Sequence, residues 1–136
     1  MYKRQQWSPD LIWFDGASVY GTPNYYVQMT YALLTGEVSY KPDTDVKDTY
    51  VSATSTSSGD LTYVKVVNAG EETLTAQVEG DFDFGELLRI VRMEGALSDV
   101  NSMAEKEKVA PFEVAPTAPR TVEIPPRSFQ VLVFRK

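Results

Sequence analysis

The chain has 136 residues, 13 basic and 19 acidic side chains, and neither cysteine nor histidine. That length suits one domain able to bury a real core without covalent staples. The missing residue types exclude disulfides, zinc–thiolate sites, thiol nucleophiles, Ser–His triads and His-ligated metals. The formal charge of −6 opposes a nucleic-acid partner, which needs a basic footprint. Runs such as Leu11-Ile12-Trp13-Phe14 fall far short of the ~20 apolar residues of a membrane span. The first six residues carry Lys3 and Arg4 but no apolar stretch of secretory length follows, so no signal peptide is read there. The compartment is not readable, because zero cysteine fits several.

Of the 16 aromatic residues, half lie in the first 31 positions: Tyr2, Trp7, Trp13, Phe14, Tyr20, Tyr25, Tyr26 and Tyr31. Leu11-Ile12-Trp13-Phe14 is continuously apolar after Pro9-Asp10, which predicts a short strand buried on both faces, as in a parallel sheet. A loop with Gly16 and Gly21 follows and holds Tyr20. Thr22 then reads as a helix N-cap with Pro23 at the first helical position. Tyr25, Tyr26, Met29, Ala32 and Leu33 share one predicted helix side, and Gly36 is the predicted stop.

Beyond Gly36 the period becomes two. Strands are predicted over 49–54, 61–67, 73–78, 87–93, 121–124 and 129–134. Turns at Ser57-Ser58-Gly59-Asp60 and Asn68-Ala69-Gly70-Glu71 separate some of them, and residues 95–119 read as loop. Short strands at this spacing predict a sandwich or barrel. The fold class is therefore mainly β, a sandwich or barrel (37–136) preceded by one strand–helix unit (1–36).

Few side chains suggest chemistry. Asp43, Asp45 and Asp48 loosely follow a calcium loop but lack its Gly at position six and Glu at position twelve, so solvated turn charges are expected. Asp81 and Asp83 alternate with Phe82 and Phe84, which predicts both phenyl rings inward. Lys106 and Lys108 alternate with Glu105 and Glu107 as a solvated face. Trp7, Trp13, Tyr20, Tyr25 and Tyr26 could make a sugar-stacking platform, with packing as the simpler role for all but Tyr20. No catalytic constellation, metal site or cofactor site is expected.

Trp7-Ser8-Pro9-Asp10-Leu11-Ile12-Trp13-Phe14-Asp15, followed by Val19-Tyr20-Gly21-Thr22-Pro23-Asn24-Tyr25-Tyr26-Val27-Gln28, resembles the last β/α unit of the catalytic barrel in glycoside hydrolase family 51 α-L-arabinofuranosidases. Leu97-Ser98-Asp99-Val100-Asn101-Ser102 continuing through Lys108-Val109-Ala110-Pro111, Tyr63-Val64-Lys65-Val66-Val67-Asn68, and Ile124-Pro125-Pro126-Arg127-Ser128-Phe129-Gln130-Val131-Leu132 resemble the same family, in family order. Met103-Ala104-Glu105-Lys106-Glu107 lacks a proline usual there, and Gly16 stands where a polar residue is common.

The resemblance implies a C-terminal fragment: one strand–helix unit left from a (β/α)₈ barrel (1–36) and an appended antiparallel, jelly-roll-like β-sandwich (37–136). The family's retaining mechanism uses two glutamates about 5–5.5 Å apart, but no glutamate here aligns with either. No catalytic residue is carried over, and the fragment alone is expected to be inactive. The resemblance also implies a parent that releases non-reducing-end arabinofuranosyl groups from arabinan or arabinoxylan, with Tyr20 near the substrate. The expected partners are the catalytic barrel, an arabinose-containing polysaccharide, or a second copy through residues 11–34. A carbohydrate-binding module displaying an aromatic row such as Tyr50 and Tyr63, or using the front aromatics, is the alternative, as is a purely structural role.

Overall fold

The structure is a computed structural model and describes residues 11–14 and 16–136. Its centre is a six-stranded antiparallel sheet. The strands are β3 (Val38–Tyr40), β4 (Thr49–Ser55), β5 (Leu61–Asn68), β7 (Glu86–Glu94), β8 (Phe112–Val114) and β10 (Ser128–Arg135), in the order β3-β4-β5-β10-β7-β8. A two-stranded sheet, β6 (Leu74–Gln77) with β9 (Thr121–Ile124), lies on one face. The predicted strands all form. β3 and β8 were not predicted, being only three residues each, and β8 sits inside the stretch read as loop.

β10 shows why this sequence makes a sandwich. It pairs with β5 on one side and β7 on the other, and residues 128–134 are all buried. Strand side chains alternate between faces. Leu132 and Phe134 therefore join Val64, Val66, Leu87 and Ile90 beneath Val122 and Ile124 of β9. Phe129, Val131 and Val133 point the other way, with Tyr63, Val91 and Met93. A strand apolar on both faces needs a cover on each.

The second cover is not a sheet. It consists of α1 (Pro23–Leu33) and the chain segment 95–110. Thr22 caps α1 by accepting a hydrogen bond from the Tyr25 amide at 3.3 Å, and Pro23 opens the helix, as the sequence predicts. Its inward face differs from the predicted one. Tyr26, Val27 and Leu34 pack on the sheet core, Thr30 is buried, and Tyr31 stacks on Phe129 at 5.1 Å, whereas Leu33 is 70% exposed. Nor is Gly36 the helix stop, because Leu34 is already the C-cap. Gly36 is needed two residues later, where a Cβ would lie 2.1 Å from the Ser55 carbonyl oxygen. Only glycine lets the chain pass that close into β3.

Lys65 stands in β5 beneath α1 and is only 4% exposed. Its ammonium donates to the Tyr31 carbonyl at 3.3 Å and lies 4.5 Å above the Tyr31 ring. Tyr31 contributes one of the last four helix carbonyls, which lack intrahelical partners and carry the negative end of the helix dipole. A cation from the sheet thus completes the C-terminus of α1. Burial pushes the Lys65 pKa down.

Candidate functional site

The N-terminal strand forms, but not as the sequence suggests. β1 (Ile12–Phe14) pairs antiparallel with β2 (Val19–Gly21), with Trp13 opposite Tyr20. It is not buried on both faces: Ile12 is 48% and Phe14 66% exposed, and Val19 of β2 is 55% exposed. Tyr20 belongs to a strand rather than to a loop. Trp7 lies outside the described residues.

Polar contacts from Thr22, Asn101 and Lys106 fix this hairpin. The Thr22 amide and hydroxyl both donate to the Leu11 carbonyl, at 2.9 and 3.1 Å, closing the hairpin onto the helix cap. Asn101, 5% exposed, does more. Its Nδ2 donates to the Gly21 carbonyl and to the Val109 carbonyl, both at 2.9 Å, and its Oδ1 accepts from the Val109 amide at 2.7 Å. One amide side chain therefore closes the 95–110 segment on itself and bolts it to the end of β2. Lys106 adds a hydrogen bond from its ammonium to the Ser18 hydroxyl.

Asp99 organises the same segment. Its carboxylate accepts from the Ala96 amide at 2.8 Å and pairs with Lys108 at 3.3 Å. The Ala96 hydrogen bond, then Lys108, hold its pKa below the ordinary carboxylate value. The stretch 105–108 is therefore more than a solvated face, since two of its lysines reach back to the hairpin and the turn.

Between hairpin, helix start and this segment lies an open cleft of about 710 Å³, lined among others by Tyr20, Tyr25, Tyr26, Met103, Lys106 and Glu107. Gly21 sits at its base, where a Cβ would come within 2.6 Å of the Tyr25 ring. The cleft thus brings Tyr20, Tyr25 and Tyr26 together. Burial, then Glu107, raise the Tyr26 pKa, which keeps its hydroxyl a donor. The arrangement offers aromatic faces, a hydroxyl, an ammonium and a carboxylate. That inventory can dock a polar surface or a sugar.

The remaining sequence candidates stand elsewhere. Asp83 accepts from the Gly85 amide at 2.9 Å and lies 3.9 Å from Arg120. Phe84 is buried as predicted, but Phe82 is 44% exposed and stacks on Tyr40 at 5.0 Å. Asp43 accepts from the Thr44 amide, and Asp48 takes a positive φ of 57°. Among the described residues no three acidic groups converge as metal ligands would. Tyr63 cannot display an aromatic row with Tyr50, because Tyr63 is 8% exposed and Tyr50 64%. Asn101 was visible in the sequence only as part of a resembling motif. A solitary asparagine in irregular chain carries no periodic signal.

An antiparallel β-sandwich with an irregular, aromatic-rich side cover is a fold that this chain shares with parts of larger glycoside hydrolases. The sequence model of the α-L-arabinofuranosidase C-terminal domain matches residues 4–128, and the chain belongs to this family, the C-terminal region of glycoside hydrolase family 51 arabinofuranosidases. α-L-Arabinofuranosidase 1 of Arabidopsis thaliana is 29% identical over 141 residues, covering 92% of this chain and 20% of the relative. The chain thus spans about a fifth of the length of the curated relatives it matches. An arabinose-bound MgGH51 α-L-arabinofuranosidase superposes with a TM-score of 0.78 at 24% identity, over 96% of this chain and 22% of that one. A Paenibacillus polymyxa family 44 xyloglucanase shares the fold at a TM-score of 0.58 and 18% identity, over 75% of this chain and 19% of that one. The fold thus recurs in a chain of another glycoside hydrolase family.

Proposed function

We propose that the chain is the accessory domain that packs beside and steadies the catalytic barrel of an α-L-arabinofuranosidase, and does no chemistry itself. The observation that carries this reading is the apolar outer surface of the hairpin. Ile12, Phe14 and Val19 stand exposed on a segment that Asn101 and Thr22 hold rigid, and Leu97 and Val100 of the 95–110 segment are 85% and 64% exposed. Phe14 stands directly opposite Val19 in the ladder, so the hairpin surface is continuous, and exposed apolar surface of this kind marks a partner interface. Residues 1–36 would belong to the last β/α unit of the barrel and 37–136 to the sandwich.

In this assembly Tyr20 would lie near the barrel face where active-site loops gather. The parent would release non-reducing-end arabinofuranosyl groups from arabinan or arabinoxylan with retention, using two glutamates outside this chain. Without that barrel the hairpin surface would drive self-association through residues 11–34. The purified chain should give no turnover of an aryl α-L-arabinofuranoside, and activity above a blank would overturn the proposal. Light scattering across concentration should show association that Phe14→Asp abolishes.

A further inference from the structure

The cleft beside the hairpin is built by two parts of the chain that meet across 80 sequence positions. One wall is the strand-to-helix connection. Tyr20 and Gly21 descend from the hairpin turn, and Tyr25 and Tyr26 stand in the first turn of α1. The other wall is the sandwich's own segment, through Met103, Lys106 and Glu107. Among the described residues no side chain from the second half of α1 lines the cleft; that end of the helix meets Lys65 instead. In a (β/α)₈ barrel the strand-to-helix connections gather on one face, and the active site lies there. The cleft opens on that side of the strand–helix unit, and the sandwich reaches it.

The sandwich side of the cleft is held in place before any ligand arrives. Asn101 and the Val109 backbone are locked together at 2.7 and 2.9 Å, and Asp99 holds Lys108 at 3.3 Å. Lys106 is tied across to the Ser18 hydroxyl. Residues 103–107 thus form an arch fixed at its feet and near its crown, so little ordering cost attends binding to it. Its chemistry is mixed. The Tyr25 and Tyr26 rings meet at 5.2 Å with a tilt of 48°, which makes an aromatic corner rather than two separate faces. Met103 adds a soft apolar contact, and Glu107 a carboxylate. Lys106 and Glu107 cancel in charge, which suits a neutral ligand better than a phosphate or a uronate. A neutral sugar has the matching features: C–H faces to lie on rings, and hydroxyls to donate to a carboxylate. The volume of about 710 Å³ falls within the range of about 300–1,000 Å³ that small-molecule sites occupy.

We infer that the 103–107 arch is part of the parent enzyme's substrate site. With Tyr20 and Tyr25 it holds the neutral sugar unit next to the arabinofuranosyl group that is released, and Glu107 accepts hydrogen bonds from that unit's hydroxyls. The sandwich thereby takes part in substrate choice as well as bracing the barrel. This rests on the reading that residues 1–36 complete a barrel in a longer polypeptide, and it assigns residues far outside that unit.

Kinetics of the longer enzyme test it, with an arabinose trisaccharide beside an aryl α-L-arabinofuranoside, whose leaving group offers no sugar hydroxyls. Glu107 is exposed, so its replacement leaves the core intact. Glu107→Gln should lower kcat/KM for the trisaccharide about tenfold more than for the aryl substrate, mainly through KM, as loss of one charge-assisted hydrogen bond would. Glu107→Asp should recover part of that selectivity. Glu105→Gln makes the same charge change at an exposed residue that does not line the cleft, and should lower neither value. Equal losses on the two substrates, or no loss on either, overturn the arch's part in binding and leave the barrel reading standing. A Glu105→Gln effect as large and selective as that of Glu107→Gln overturns it too, because net charge alone would then be at work. An unaltered longer protein that fails to turn over the aryl substrate overturns both.

Discussion

The two faces of the six-stranded sheet receive covers of unlike construction. Between the sheets, strand lies on strand and the core is continuous: Phe134, Leu132 and Ile124 are at most 1% exposed. On the other face a helix and a turn-rich segment share the cover, and Tyr26, Val27, Thr30 and Tyr31 of α1 with its C-cap Leu34 meet the sheet. Each cover is nevertheless fastened by one buried asparagine. Asn68, 1% exposed, donates to the carbonyls of Glu72, Ile124 and Pro125 at 2.8, 3.1 and 3.1 Å and so ties β5 to the small sheet. Asn101 plays the corresponding part for the hairpin and the 95–110 segment. Apolar burial sets how strongly a cover holds; the asparagines set where it sits.

The largest expected effect is on the shared strand. Phe134→Ala should cost about 3–5 kcal/mol, since it removes a fully buried ring between the sheets, where Phe84 meets it edge-on at 4.9 Å. Denaturant titration measures this, and a loss below about 1 kcal/mol would mean that the core between the sheets collapses to fill the space.

The asparagine pair comes next. Asn101→Ala and Asn68→Ala each orphan several backbone groups, at about 1–3 kcal/mol for each group left dry. Their locations should separate them. Asn101→Ala should speed amide exchange at Val109 and in the hairpin while leaving β6 and β9 unmoved, and Asn68→Ala should do the reverse. Matching exchange patterns would show that the two covers open together.

Lys65→Met should be neutral or stabilising by about 1 kcal/mol at pH 7, because it relieves a buried charge and keeps the packing stem. Burial lowers the folded pKa, so between it and the unfolded value of about 10.4 the unfolded chain binds the extra proton. The cost of the charge is thus fully present below the folded pKa and fades as pH rises towards 10.4. The gain from Lys65→Met should shrink over that range, and Tyr26, common to both proteins, cancels in the difference. A gain that grew with pH would break this account.

The smallest effect concerns Asp99. Its lowered pKa contributes stability that is present above the unfolded value and lost as pH falls through the folded one. Asp99→Asn should therefore remove an acid-side loosening of residues 96–109, read as exchange at Ala96.

The same contrast explains what the sequence disclosed. Period-two stretches such as 61–67 and 129–134 announced their strands, and Thr22-Pro23 announced the helix start, because these signals are local. The inward side of α1 lies one residue, about 100°, from the face that the apolar spacing predicts, since it is chosen by where Lys65 and Phe129 meet Tyr31. Leu11-Ile12-Trp13-Phe14 looked buried because apolarity does not say whether the cover is on this chain. The family's motifs pointed at Asn101 without saying what it does, since its three partners lie 8 and 80 positions away.

Lys65 has a practical corollary. Most of the chain's other lysines are open to solvent, so an amine-acylating reagent should modify them quickly, while Lys65 waits until α1 lifts from the sheet. Its labelling rate is therefore a clock for that lifting, read by mass at a single residue. The domain carries its own gauge of how tightly the helix is seated, and a docked barrel should slow it.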